Sequence, residues 1–175
     1  MSLRHALLGF LAICPMSGYD LRRSMHESVA HFWPVDQSQI YRTLAQLEKD
    51  GLVQVHEVHQ EGRPDRRDHS ITPDGLAALD DWLGSPAEYA PAREPFLLRL
   101  FFVARLGPER TREVLEERVA EAREMLAVLD ATLGVVEAAS APQDLGTRLR
   151  LATLDNGAAH ARAELEWAER LLGTL

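Results

Sequence analysis

A chain of 175 residues in which 46% are hydrophobic and 26% charged has enough apolar material for a packed core, which excludes wholesale disorder. Its formal net charge of −8 argues against indiscriminate binding to polyanions but leaves a local basic patch open. The single cysteine, Cys14, excludes an intrachain disulfide and any multi-cysteine metal site, so a reducing cytoplasm is the expected location.

The first apolar stretch, Ala6 to Cys14, is about half of the roughly 20 residues that a membrane-spanning helix needs. Arg4 ahead of it and Leu11-Ala12-Ile13-Cys14 loosely resemble a lipoprotein leader, but bulky Ile13 stands where a small residue is required, and a buried first helix is expected instead. Leu3, Leu7, Phe10 and Cys14 recur at helical steps up to Pro15, which makes Cys14 a core residue. After a Pro-Met-Ser-Gly turn, Ser17 and Asp20 form a capping pair, and a second helix starts near Gly18 with Leu21, Met25 and Val29 on one stripe.

A third helix is the best marked. Asp36 is its N-cap, with Gln39 three residues on; Ile40, Leu44 and Leu47 share its apolar face, and Asp50-Gly51 stops it. At about 100° per residue, Ser38, Arg42, Ala45 and Lys49 fall on the opposite face, with Tyr41 at its edge. Two strand-like runs follow, Leu52–Val58 and Asp68–Thr72, joined by a glycine- and proline-bearing connector over residues 60–67 that reads as a long hairpin tip. Thr72-Pro73 then opens a fourth helix carried by Leu76, Leu79 and Leu83.

Prolines and glycine between Gly84 and Pro95 break the periodicity and mark a linker, which gives domains over residues 1–84 and 95–175. Beyond it Phe96–Val103 is apolar nearly all round, as in a helix buried on several sides. Leu115, Val119, Ala122, Leu126, Leu129, Leu133 and Val136 form one coiled-coil-like seam, and Leu151, Leu154, Ala158, Ala161, Leu165, Ala168 and Leu172 form another. Three apolar surfaces in about 80 residues exceed what one copy can hide, so a homodimer is expected.

Short helices, a polar third helix and a hairpin tipped by Arg63, Arg66 and Arg67 describe a winged helix-turn-helix, whose second motif helix enters a major groove while the wing reaches backbone or minor groove. The expected fold is therefore mostly α with a small β-hairpin wing, followed by a C-terminal antiparallel helical dimerisation lobe. On the groove-facing helix, Arg42 suits either a bidentate guanine contact or a phosphate clamp, and Gln39 either caps its own helix or reads adenine. Tyr41 is placed for a phosphate contact or for packing, and Lys49 for the DNA backbone.

The chain resembles a PadR-family transcriptional regulator of the longer, two-lobed kind. The likeness is carried by Leu7-Leu8-Gly9-Phe10-Leu11, Ser17-Gly18-Tyr19-Asp20-Leu21, Phe32-Trp33-Pro34-Val35, Ser38–Leu44, Leu47–Val53, Gly62–Arg67 and Ile71–Gly75, with Phe96–Phe102 and Trp167 in the second lobe. The resemblance implies a dimeric, usually repressing, DNA-binding regulator whose C-terminal helices pair the subunits and often help to hold a small effector. It assigns Gln37, Ser38, Gln39, Tyr41, Arg42 and Lys49 to the groove-facing helix and Arg63, Arg66 and Arg67 to the wing. Glu61, Asp65 and Asp68 depart from a purely basic wing, which makes binding steeply salt-sensitive. Trp33, Trp82 and Trp167 are candidates for an aromatic effector pocket, or are packing anchors.

Three other readings are weaker. His56 and His59 are three apart, which on a strand turns them to opposite faces, so no metal is expected. With neither a phosphate loop nor a nucleophile elbow, the chain is not expected to be an enzyme or to carry a cofactor. A winged helix that docks proteins instead of DNA would show acidic or apolar residues where Arg42 and Lys49 stand.

Overall fold

The computed structural model describes residues 3–59, 66–87, 93–139 and 144–175. The chain divides into two compact units, Met1–Tyr89 and Ala90–Leu175. In the first, the order is α1 (Leu3–Ile13), β1 (Met16–Ser17), α2 (Gly18–Ser28), α3 (Gln37–Lys49), β2 (Val53–Val58), β3 (Arg66–Ile71) and α4 (Pro73–Gly84). The starts of α2, α3 and α4 are each fixed by a side-chain oxygen on an amide that the helix itself leaves unpaired. Ser17 accepts from the Asp20 amide at 3.1 Å, Asp36 from that of Ser38 at 2.7 Å, and Thr72 from that of Gly75 at 3.1 Å.

Behind these caps, Leu7, Leu8 and Leu11 of α1 meet Leu21 and Met25 of α2, Ile40, Leu44 and Leu47 of α3, Val53 of β2 and Leu79 of α4 in one core. Each fully buried leucine or isoleucine contributes about 1.5–3 kcal/mol, so this cluster holds the helices against the sheet. Cys14 is not part of it: the thiol is exposed. The helix ends at Ile13, and the buried stripe of α1 is Leu7, Leu8 and Leu11, so the periodicity that placed Cys14 inward runs one residue past the helix.

The sheet has the order β1-β3-β2, with both pairings antiparallel. Residues 16 and 17, expected as a turn, form a two-residue strand opposite His69 and Asp68. That pairing joins residues some fifty positions apart, and two residues are too few to show alternation. A second difference concerns the wing. Arg66 and Arg67, expected in the connector, belong to β3, opposite Val58 and Glu57.

The second unit comprises α5 (Pro95–Val103), a 3-10 turn at Ala104–Leu106, α6 (Pro108–Ala139) and α7 (Leu145–Leu172). Gly107, at φ +87°, takes the left-handed conformation that lets the chain turn into α6. Leu129 packs with Leu154 and Ala158, while Arg118, earlier on α6, hydrogen-bonds Glu164, later on α7, so the two long helices are antiparallel. Fully buried Ala158 lets them approach closely. By contrast, α5 is not covered within one chain: of its residues only Val103 is buried, and Phe101 is 80% and Leu98 67% exposed. Among the described residues, no helix is long and apolar enough to cross a membrane.

Candidate nucleic-acid interface

The capped start of α3 sets the face that it shows. Ile40, Leu44 and Leu47 point into the core, and Gln37, Ser38, Gln39, Tyr41, Arg42, Ala45, Gln46 and Lys49 are exposed. The cap itself belongs to Asp36, whose carboxyl is held below the usual range by hydrogen bonds from the Ser38 side chain and amide. Arg42 Nε donates to the Ser38 carbonyl at 3.3 Å, which lays its guanidinium along the exposed strip. The Tyr41 ring rests against α2 because Gly18 has no Cβ: one built there would stand 2.6 Å from Tyr41 Cε1. The ring therefore packs on one side while staying 44% exposed.

Next to α1 the strip broadens in a way that spacing alone did not reveal. A shallow depression of about 470 Å³ is lined by Leu3 and Arg4 of α1 and by Gln39, Arg42, Thr43, Gln46 and Leu47 of α3. Arg4 donates to Asp50 at 2.5 Å and Gln46 to the same carboxylate at 2.7 Å, which together hold it below the ordinary range. Arg4 and Gln46 thus extend the polar surface of α3; the only sequence cue was that Gln46 stands four residues after Arg42 and four before Asp50.

The wing adds charge already partly matched by carboxylates. Arg66 meets Asp68 at 2.6 Å and Asp20 at 3.0 Å, and Arg67 lies 3.5 Å from Glu48 of α3. Arg63, the third expected wing arginine, lies outside the described residues. His56, in β2, and His59, just after it, are both exposed, and no group of three or more metal-ligating side chains occurs among the described residues. His69 is buried at the wing's base, 8% exposed.

The tryptophans are placed separately. Trp82 stacks on His5 with ring centroids 4.8 Å apart and packs on the first core, and Trp167 meets Phe96 edge-on at 6.3 Å in the second unit. Trp33 is 41% exposed.

Comparison with known proteins finds a family model on each unit. Residues 7–81 match the transcriptional regulator PadR-like family, and residues 92–175 match the virulence activator alpha C-term family. The chain carries a PadR-like domain. A probable transcriptional regulator of Mycobacterium tuberculosis is 40% identical over 86 residues, which are 49% of this chain and 46% of that protein. The chain thus matches about half the length of that relative. Bacillus subtilis PadR, a negative transcriptional regulator, is 24% identical over 149 residues, or 83% of this chain and 80% of that one. Its structure in complex with operator DNA has a TM-score of 0.90 at 22% identity and covers 99% of this chain and 97% of that one. A structure of the same protein with p-coumaric acid gives 0.79 at 22% identity, with 98% and 97% covered. The Vibrio cholerae virulence activator AphA is 28% identical with a TM-score of 0.77, covering 99% of this chain and 97% of that chain. The second unit of this chain is an α-helical hairpin preceded by the apolar helix α5.

Proposed function

We propose that the chain is a cytoplasmic transcriptional regulator that binds double-stranded DNA through its PadR-like domain, residues 1–84, and pairs with a second copy through residues 95–175. The observation that carries this reading is the exposed strip of α3. A 13-residue helix, capped by Asp36, turns Ser38, Arg42, Ala45 and Lys49 outward beside a β2–β3 wing. Small side chains at Ser38 and Ala45 allow close approach to base edges, Arg42 supplies a bidentate donor, and Lys49 meets a phosphate. Gln37, Gln39 and Tyr41 flank this contact, and Arg67 extends it along the wing; Arg63, outside the described residues, is a further candidate contact.

A homodimer presenting two copies of α3 suits a palindromic operator with half-sites about one duplex turn apart. The exposed apolar face of α5 supports pairing through the second unit. We take the direction of control to be repression, the action named for the Bacillus relative. A small aromatic effector, of the class seen with that relative, would release the DNA by binding the non-competent arrangement more tightly. Trp33, Trp82 and Trp167 are the aromatic candidates for holding it. Fluorescence anisotropy against the duplex upstream of the protein's own gene, with an unrelated duplex as control and across a salt series, tests the reading. Sequence-dependent binding that weakens with salt is expected; equal indifference to both duplexes would leave protein docking as the better account.

A further inference from the structure

We infer that Arg66 is a positioning residue that sets the angle of the wing, and not one of its DNA contacts. The inference refines the DNA-binding reading above and rests on it for its DNA measurements. Arg66 Nε donates to Asp68 at 2.6 Å and Nη2 reaches Asp20 at 3.0 Å, so two sides of the guanidinium fork are engaged by carboxylates on two different elements. Asp20 in turn accepts from Ser17 Oγ at 2.7 Å, and Ser17, in β1, stands opposite Asp68 in β3. Ser17, Asp20, Arg66 and Asp68 therefore close a ring that joins the N-cap of α2, the edge strand and the central strand.

Two features separate this ring from an ordinary surface ion pair. Asp20 and Asp68 are both about three-quarters buried, and several hydrogen bonds share the same atoms, the situation in which exposed-pair estimates understate a network. Charge is also balanced. Arg66 and Arg23, which lies 3.6 Å from Asp20, face the two carboxylates of Asp20 and Asp68, leaving no net cation for a phosphate. Arg67 differs, with one looser 3.5 Å partner and both ends more exposed. Adjacent arginines on β3 thus do different work: Arg66 braces the strand to α2, and Arg67 is free to turn to the duplex.

The test compares Arg66→Ala and Asp20→Asn in the full chain with wild type by two measurements. In DNA-free protein, amide hydrogen exchange across β2 and β3 is expected to quicken by about fivefold in both variants while the core of the second unit is unchanged. In anisotropy titrations with the upstream duplex, both are expected to bind about fivefold more weakly, with the slope of log affinity against log salt at its wild-type value. Asp20→Asn is the sharper arm, because removing a negative charge would tighten binding if repulsion alone were at work. Tighter binding by Asp20→Asn would overturn the inference by showing that Asp20 acts through repulsion, and a slope reduced by about 0.9 in Arg66→Ala would overturn it by showing a direct phosphate contact. If the wild type ignores the duplex, the DNA-binding reading fails, and unchanged wing exchange in the two variants would then by itself overturn the brace.

Discussion

Arg67 Nη2 lies 3.5 Å from Glu48 Oε2, so the central strand of the wing is tethered to the last turn of α3 by a pair whose two ends are both exposed. A phosphate competes well for an arginine held this loosely, because an exposed pair contributes little on its own. Glu48→Gln is therefore expected to bind the upstream duplex about threefold more tightly at low salt, with the gain fading as salt rises. The gain should vanish when Arg67→Ala is added. Anisotropy on the four members of this cycle checks it, and weaker binding by Glu48→Gln would mean that the tether matters more than the free guanidinium.

Arg42 and Lys49 occupy one strip but different turns of α3, and their replacement separates base reading from backbone attraction. Arg42→Ala is expected to reduce affinity for the upstream duplex by about 1–3 kcal/mol while changing affinity for an unrelated duplex less. Lys49→Ala is expected to weaken both duplexes alike and to lower the salt slope by about 0.9. Equal losses on the two duplexes for Arg42→Ala would assign it to a phosphate.

The parts of this arrangement that were legible in the sequence are the local ones. Ser17, Asp36 and Thr72 announce their helices because a cap reaches only two or three residues ahead, and Ile40, Leu44 and Leu47 announce a buried face because one helix repeats itself. What escaped depends on pairings between distant positions. Met16 becomes a strand residue only because His69 lies opposite, and Arg66 finds Asp20 across 46 positions. Arg4 joins the α3 surface through Asp50, likewise 46 positions away. Cys14 departs from its expected burial for a smaller reason: the helical spacing runs on past Ile13, where the helix ends.

Gly75 packs where α4 meets Leu52 and Ile71 with no room for a side chain. A Cβ at that position would stand 2.2 Å from the Leu52 carbonyl oxygen, which is backbone and itself accepts from the Thr72 amide at 3.0 Å. Neither atom can move without opening the turn that leads from α3 into β2. Gly75→Ala is expected to destabilise the first unit by about 1–3 kcal/mol, the range for inserting a methyl group into packed structure. A control, Gly84→Ala, adds a Cβ with nothing within 4 Å and should leave stability nearly unchanged. Thermal unfolding of the pair checks both, and a Gly75→Ala midpoint equal to wild type would show that α4 can shift away from Leu52.

His69 links the wing's stability to pH. Burial holds its pKa below the ordinary 6.5, a hydrogen bond to the Met16 backbone works in the opposite sense, Arg67 adds to the lowering, and Glu48 and Asp68 counter it. Among the described residues its Nδ1 has no partner, so a proton there would be buried without an acceptor. Because the folded state prefers the neutral ring, the contribution to stability is complete above pH 6.5 and is lost as pH falls below it. His5, held low by burial and by Arg4, acts in the same direction. Unfolding midpoints should drop from about pH 7 to about pH 5, and His69→Gln should show a shallower fall with the remainder due to His5. An identical pH profile in His69→Gln would remove His69 from the account.

The apolar face of α5 gives the pairing of copies its own test. Leu98 and Phe101 are mostly exposed in the single chain and belong to neither buried cluster, so charging them should leave each unit folded. Exposed side chains of this size on one short helix stay out of water only if something covers them, and a second copy offers an identical face in return. The wild type is expected to sediment as a dimer, whereas Leu98→Glu/Phe101→Glu should sediment as a monomer with an unchanged helical circular-dichroism signal. Affinity for a palindromic duplex should then fall to about that for a half-site, because the second domain no longer benefits from being tethered to the first. A double variant that remains dimeric would place the seam on α6 and α7 and leave α5 for another occupant, and one that becomes monomeric yet still discriminates full site from half-site would show that the DNA itself assembles the pair.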